Sequence, residues 1–238
     1  MNNAGVCSVA AYEDQFSRRV ARPLPDAQAE HLLGDSALRE RCERAGVDLG
    51  QMVAALRLPA AQRLEAVDSA TQEMRLFRFI DLLAARGIRY VLIGGLAGRI
   101  YGSSCVTGDF DICHARDAAN LAGLAALLAD INAEFRRLPR YVPPALHAAT
   151  FATETDFVFC TPLGKFDLIG EFTGVGCYAS AIEDAITIDV LGHPIRVLSL
   201  PKLISAKRST GRPKDRVVAD ELTAIARVVA SLPVEAEC

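Results

Sequence analysis

The chain has 238 residues, 51% of them hydrophobic and 23% charged, with a formal net charge of -3 and a pI near 5.8. That composition can bury a substantial core and excludes disorder on a large scale. It supplies no global basic field, so a nucleic-acid partner would have to be held by a local patch.

Residues 1–72 read as an Ala/Arg/Leu-rich helical extension, broken by Pro23 and Pro25 and restarted at Pro59. A helix follows in which Leu76, Phe79, Ile80 and Leu83 share one face, with Gly87 at its C-terminal cap. "IRYVLIGG" then reads as a buried strand. Asp117 is placed to cap a helix whose stripe is Leu121, Leu124, Leu128 and Ile131. "TETDFVFCTPLGKFDLIGEF" has two β-prone runs around TPLG, the composition of a hairpin. "SLPKLISAKR" opens a helix at Ser199 and Pro201, and Val218, Leu222, Ile225 and Val229 mark a last amphipathic one. Between them lies "KRSTGRPKDR", five basic residues and one acidic in ten. The expected class is α+β, a mixed sheet packed by helices, divided as a helical extension (1–72), a core (73–198) and a C-terminal helical segment (199–238).

No uncharged apolar run nears the roughly 18 to 20 residues that a bilayer span needs, and the start lacks a basic segment ahead of an apolar one. A cytoplasmic protein is expected. The seven cysteines are scattered and never spaced as CxxC, and the four histidines show no ligand spacing, so neither a disulfide framework nor a zinc site is expected.

The chemistry concentrates in "YVLIGGLAGRIYGSSCVTGDFDI", residues 90 to 112. On a strand, Asp109 and Asp111 point to one face while Phe110 and Ile112 turn to the other. Two adjacent carboxylates repel, and a Mg²⁺ ion that accepts both together with phosphate oxygens removes the conflict. Gly94 and Gly95 permit close backbone approach ahead of a helical turn that attracts phosphate, and Ser103 and Ser104 add hydroxyl donors. For a third acid, Asp167 between Phe166 and Leu168 is preferred over Asp156 and Glu171, because its neighbours bury it. Taken singly, Asp109 and Asp111 also fit the wet face of an edge strand, and Asp167 a turn.

"IGG", thirteen residues and then "DFDI" resembles the signature of the DNA polymerase beta-like nucleotidyltransferase superfamily. "KFDL" (Lys165 to Leu168), "LPKLISAKR" and "GRPKDRVVADEL" further resemble its bacterial AbiEii-like group, which includes toxins of toxin-antitoxin and phage-defence systems. The resemblance implies transfer of a nucleoside monophosphate from an NTP to an acceptor, a tRNA or a protein hydroxyl, with pyrophosphate released and an antitoxin as a further partner. It implies Mg²⁺ or Mn²⁺ held by Asp109, Asp111 and Asp167. Triphosphate contacts fall to Gly94, Gly95, Ser103 and Ser104, and phosphate or acceptor contacts to Lys207, Arg212 and Lys214, while Asp215 and Asp220 orient the basic residues or cap the last helix. One position departs: Cys105 stands where many relatives carry arginine and supplies no fixed cation, so either Lys207 or Arg99 substitutes for it or nucleotide is bound poorly. Two other readings stand beside this one. The first is an antibiotic nucleotidyltransferase with acceptor acids Glu154, Asp156 and Glu171; the second is a catalytically silent nucleotide-binding or interaction module.

Overall fold

The computed structural model describes residues 9–44, 46–70, 75–105, 107–136 and 146–232. Five helices come first: α1 (Val9–Ala21), α2 (Asp26–Gly34), α3 (Ser36–Arg44), α4 (Leu49–Leu56) and α5 (Ala60–Ala70). Pro23 and Pro25 fall between α1 and α2, where rings without an N–H donor interrupt no helix. Asp48 caps α4 by accepting from the Gln51 amide at 2.9 Å, and Pro59 stands directly before α5.

α6 (Leu76–Ala85) buries Leu76, Phe79, Ile80 and Leu83 and is followed by Gly87 at φ +60°, the left-handed conformation of a C-terminal cap. Next come β1 (Tyr90–Leu92), α7 (Gly94–Ile100), β2 (Asp109–His114) and α8 (Ala118–Asp130), with Asp117 accepting from the Asn120 amide at 3.3 Å at the start of α8. Then follow β3 (Glu134–Phe135), α9 (Ala148–Thr153), the hairpin β4 (Asp156–Thr161) and β5 (Gly164–Ile169), and a small pair β6 (Glu171–Phe172) and β7 (Gly176–Cys177). The described chain ends with α10 (Tyr178–Glu183), the hairpin β8 (Ile186–Val190) and β9 (His193–Val197), α11 (Leu200–Ser209) and α12 (Pro213–Ser231). The short elements β3, α9, β6, β7 and α10 and the hairpin β8–β9 have no counterpart in the sequence-based expectation.

The architecture is α+β. Seven strands form one mixed sheet in the order β3-β4-β5-β2-β1-β9-β8. β2 runs parallel to β5 and β1 parallel to β9, and the other neighbours are antiparallel. The alternation of strand side chains separates the two faces of the sheet. On one face Phe110 of β2 and Phe166 of β5 meet Phe79 of α6, with ring centroids 5.2 and 5.1 Å from Phe79 and 5.7 Å from each other. All three rings are fully buried. The same alternation sends Asp109, Asp111 and Asp167 to the opposite face.

The helical extension packs onto the core: α5 meets α7 and β8, and α1 meets α11, α12 and β8. Buried Arg63 of α5 fastens it, donating to the backbone carbonyls of Leu58, Val20, Ile100, Arg22 and Leu56. Ile100 belongs to α7 and the other four acceptors to the extension. No helix among the described residues is long and apolar enough to cross a membrane.

Candidate functional site

The register of three strand pairs aligns one row of residues across the sheet. Asp111 of β2 is the partner of Asp167 on β5, Asp167 is the partner of Val158 on β4, and the Arg136 amide, just past β3, donates to the Val158 carbonyl at 2.8 Å. Residues opposite one another in a sheet share a face, so Arg136, Val158, Asp167 and Asp111 all look into one cleft. Asp109, two residues before Asp111, is the partner of Lys165 in the same register. The two "Asp-hydrophobic" motifs, far apart in sequence, therefore converge through strand pairing.

Arg136 draws the carboxylates together. Its Nη2 lies 3.1 Å from Asp167 Oδ2 and its Nη1 3.4 Å from Asp109 Oδ1, while Lys165 Nζ stands 3.7 Å from the same Asp109 oxygen. Asp111 sits deeper in charge terms. Burial, and then the charges of Asp167 and Asp109, push its carboxyl up to about 7, opposed by Lys207 and by the Gly95 amide that donates to it. At neutral pH it is poised to take up a proton unless a cation compensates it.

Gly94 is required at its position twice over. Its φ is +66°, and a Cβ there would stand 1.9 Å from Asp111 Oδ2. Only a residue without a side chain lets the start of α7 close over that carboxylate. The glycine pair thus cradles Asp111 as well as lining the cleft.

The far wall comes from α11 and α12. Lys207 and Arg212 both bind Asp215, Lys207 Nζ at 2.8 Å to Oδ1 and Arg212 Nε at 2.7 Å to Oδ2, and the Thr210 hydroxyl donates to Oδ2 at 2.9 Å. Burial opposes ionisation of Asp215, but the hydrogen bonds from Lys207 and Thr210 and the charges of Lys207 and Arg212 outweigh it, so its carboxyl lies below the ordinary value. Asp215 is thereby a buried post that holds two cations at the rim, with exposed Lys214 beside it. Asp220 faces solvent. Lys202, the other lysine of α11, is turned to buried Asp184 at 2.7 Å and belongs to the scaffold.

Ser103 and Ser104 are placed differently from the expectation of a phosphate contact: neither lines the cleft. The Ser103 hydroxyl is fully buried and donates to Glu221 Oε2 at 2.5 Å, and the Ser104 amide donates to Glu221 Oε1 at 2.7 Å. Glu221 is itself buried on α12, so the serine pair ties the α7–β2 loop to the last helix. Arg99 donates to the Ser103 carbonyl at 2.6 Å and does not line the cleft, whereas Cys105, Thr107 and Lys207 do.

The cleft encloses about 590 Å³ and includes Gly94, Gly95, Asp109, Asp111, Asp167, Lys207, Arg212 and Lys214. Among the described residues no three acid, histidine or cysteine side chains are already gathered tightly enough to ligate an ion; at Asp109 and Asp167 the Arg136 guanidinium is interposed. The donor chemistry nonetheless fits a hard divalent cation, because the anionic groups on the cleft floor are carboxylate oxygens and one of them is held in its costly ionised form only if compensated. Sequence reasoning missed Arg136, Thr107 and Glu221. The two-residue β3 that carries Arg136 to the site is too short to leave a periodic signal.

No family model matches the chain, and no curated protein matches it.

Proposed function

We propose that the chain is a Mg²⁺- or Mn²⁺-dependent nucleotidyltransferase of the polymerase beta-like, AbiEii-like kind, moving a nucleoside monophosphate from an NTP to a hydroxyl or 3′-end acceptor with release of pyrophosphate. The observation that carries this reading is the pairing of Asp111 with Asp167 across parallel strands, with Asp109 beside them and the basic rim of Lys207, Arg212 and Lys214 in the same cleft. Asp109, Asp111 and Asp167 would hold the cations, which supply charge neutralisation for the triphosphate and acidify the attacking hydroxyl.

The chain's own residues then position the reactants. Gly94 and the Gly95 amide fix the Asp111 carboxylate. Lys207, aimed by Asp215, and exposed Lys214 would face phosphate oxygens as point charges. A cleft of about 590 Å³ has the volume expected of a small-ligand site. The acceptor in this reading is a tRNA or a protein hydroxyl, the enzyme works in the cytoplasm where NTPs abound, and a cognate antitoxin would restrain it.

The test is transfer of label from an α-labelled NTP to total cellular RNA or protein in the presence of Mg²⁺. Asp109→Ala and Asp111→Ala should each abolish transfer while leaving the fold intact; full activity in both variants overturns the reading. Binding of MgATP by calorimetry without any turnover would instead favour a silent nucleotide-binding module. A second transferase reading, with a cationic antibiotic as acceptor, is favoured by the exposed acids Asp156 and Glu171, which also line the cleft. Resistance of an expressing strain to aminoglycosides separates it from the first.

A further inference from the structure

We propose that the Arg136 guanidinium is a resident occupant of the cation site, so that the cleft takes up free divalent ions weakly and loads them together with a triphosphate that captures the guanidinium. This deepens the transferase reading and rests on it. The positioning is specific. Arg136 is held at its backbone by Val158, its side chain is only 21% exposed, and its two terminal nitrogens reach Asp167 and Asp109 at 3.1 and 3.4 Å.

A divalent ion bound by Asp109 and Asp167 would need the space and the charge compensation that Arg136 supplies. Two cations a few ångströms apart in a partly desolvated cleft repel strongly, so ion and guanidinium compete. Lys165 also pairs with Asp109, but at 3.7 Å and with a side chain 47% exposed, where solvent screens the interaction. Of the two arginines lining the cleft, Arg212 is retained by Asp215; Arg136 is the one whose partners a cation would claim. A triphosphate offers the released guanidinium paired oxygens that match its planar fork. Cation and nucleotide then favour each other's binding, and by linkage each raises the other's affinity by one common factor.

The experiment measures Mn²⁺ binding by calorimetry and by the electron paramagnetic resonance signal of free Mn²⁺, at about pH 8.5 so that protons do not compete for the carboxylates. Each protein is titrated with and without an α,β-methylene NTP analogue. Arg136→Met should bind Mn²⁺ alone at least about tenfold tighter than the unmodified chain. Arg136→Lys should stay near the unmodified value, and Lys165→Met should change affinity by less than about threefold. The analogue should strengthen Mn²⁺ binding more in the unmodified chain than in Arg136→Met. Equal or weaker Mn²⁺ binding in Arg136→Met, or an equal gain in Lys165→Met, overturns the inference and leaves the transferase reading standing. If Asp111→Asn binds Mn²⁺ as well as the unmodified chain, the ion is elsewhere, and the transferase reading falls together with the inference. Circular dichroism checks the fold, and Arg136→Gln replaces the methionine variant if that one does not fold.

Discussion

Asp111 on β2 stands directly opposite Asp167 on the parallel strand β5, which sets two carboxylates side by side and makes the ionised form of Asp111 costly. With burial as the first cause and Asp167 and Asp109 next, the Asp111 carboxyl is raised to about 7, against about 3.9 for an unfolded aspartate. Between those values the folded chain holds a proton that the unfolded chain has lost, so without cations this group's contribution to stability falls as pH rises from about 4 to about 7. Asp111→Asn should therefore raise the melting temperature in chelator at about pH 8 while lowering NMP transfer by about a thousandfold or more. Added Mg²⁺ should stabilise the unmodified chain and not the variant. Thermal melts with and without Mg²⁺, beside a transfer assay, check the three outcomes, and a variant that melts lower in chelator contradicts the proposed strain.

Gly94 predicts a loss of a different kind. Alanine there meets Asp111 Oδ2 at 1.9 Å and must adopt φ +66°, a conformation that costs a residue with a Cβ about 1–2 kcal/mol before any collision is relieved. The cheapest relief is to push the Asp111 side chain aside. Gly94→Ala should lose transfer activity by about a hundredfold or more with only a modest fall in melting temperature, since misplacing a reacting group by about an ångström has that effect. Steady-state transfer kinetics beside a thermal melt give the comparison, and unchanged kinetics would show that the carboxylate need not sit where it does.

Lys207 and Asp215 should separate stability from function. Lys207→Met removes a cation from the cleft and leaves buried Asp215, 3% exposed at its side chain, with Arg212 and Thr210 as its partners. The expected result is weaker NTP binding together with a stability loss of about 1–3 kcal/mol. The double variant Lys207→Met/Asp215→Asn removes the buried carboxylate charge that only Arg212 then balances and should recover much of that stability without recovering NTP affinity. Urea unfolding and nucleotide titration of the singles and the double complete the cycle. Recovery of nucleotide affinity in the double variant would show that Lys207 serves the fold alone.

How much of this was legible follows from the range of the signals. Phe110 and Ile112 alternating with Asp109 and Asp111 declare their strand and its two faces locally, as do the helical stripe of α6 and the TPLG turn of β4–β5. The hairpin β8–β9 was hidden because its turn is Leu191–Gly192, with Leu191 at φ +54° in place of the usual Asn-Gly or Asp-Gly signal. Pro194 in β9 further weakens the local strand signal; it is tolerated because it sits near the hairpin end opposite Asp189, while β9 meets β1 at Val197. Ser103 was misleading because its partner, Glu221, is 118 residues away. Arg136 reaches the carboxylates through three strand pairings that no local pattern encodes.

Buried His114 at the end of β2 sets an acid-side prediction. Burial first, and then the charge of Arg116, lower its pKa to about 4, against 6.5 for an unfolded histidine. The unfolded chain takes up this proton as pH falls through about 6.5 while the folded chain resists it until about 4, so the stability is fully present above about 6.5 and is lost across that window. The loss at pH 4 is up to about 3 kcal/mol. His114→Leu should be less acid-sensitive than the unmodified chain by about that amount. Urea midpoints at several pH values between 4 and 7 measure the gap, and parallel curves for the two proteins would mean that His114 titrates normally.

Arg63 governs whether the helical extension and the core unfold together. Its guanidinium, 1% exposed as a residue and lowered to about 10 chiefly by burial and then by the charge of Arg99, holds five backbone carbonyls, one of them on α7 of the core. Hydrogen bonds to a charged donor contribute about 1.5–3 kcal/mol each, and an acceptor left buried without a donor carries a further desolvation cost. Arg63→Met fills the space but satisfies no carbonyl, so a loss of about 3 kcal/mol or more is expected, with Arg63→Lys between. Because the acceptors lie on both sides of the junction, the methionine variant should also expose α1–α5 to limited proteolysis before the sheet unfolds. Protection equal to that of the unmodified chain would show that the apolar contacts of α1 and α5 with the core hold the extension without this residue.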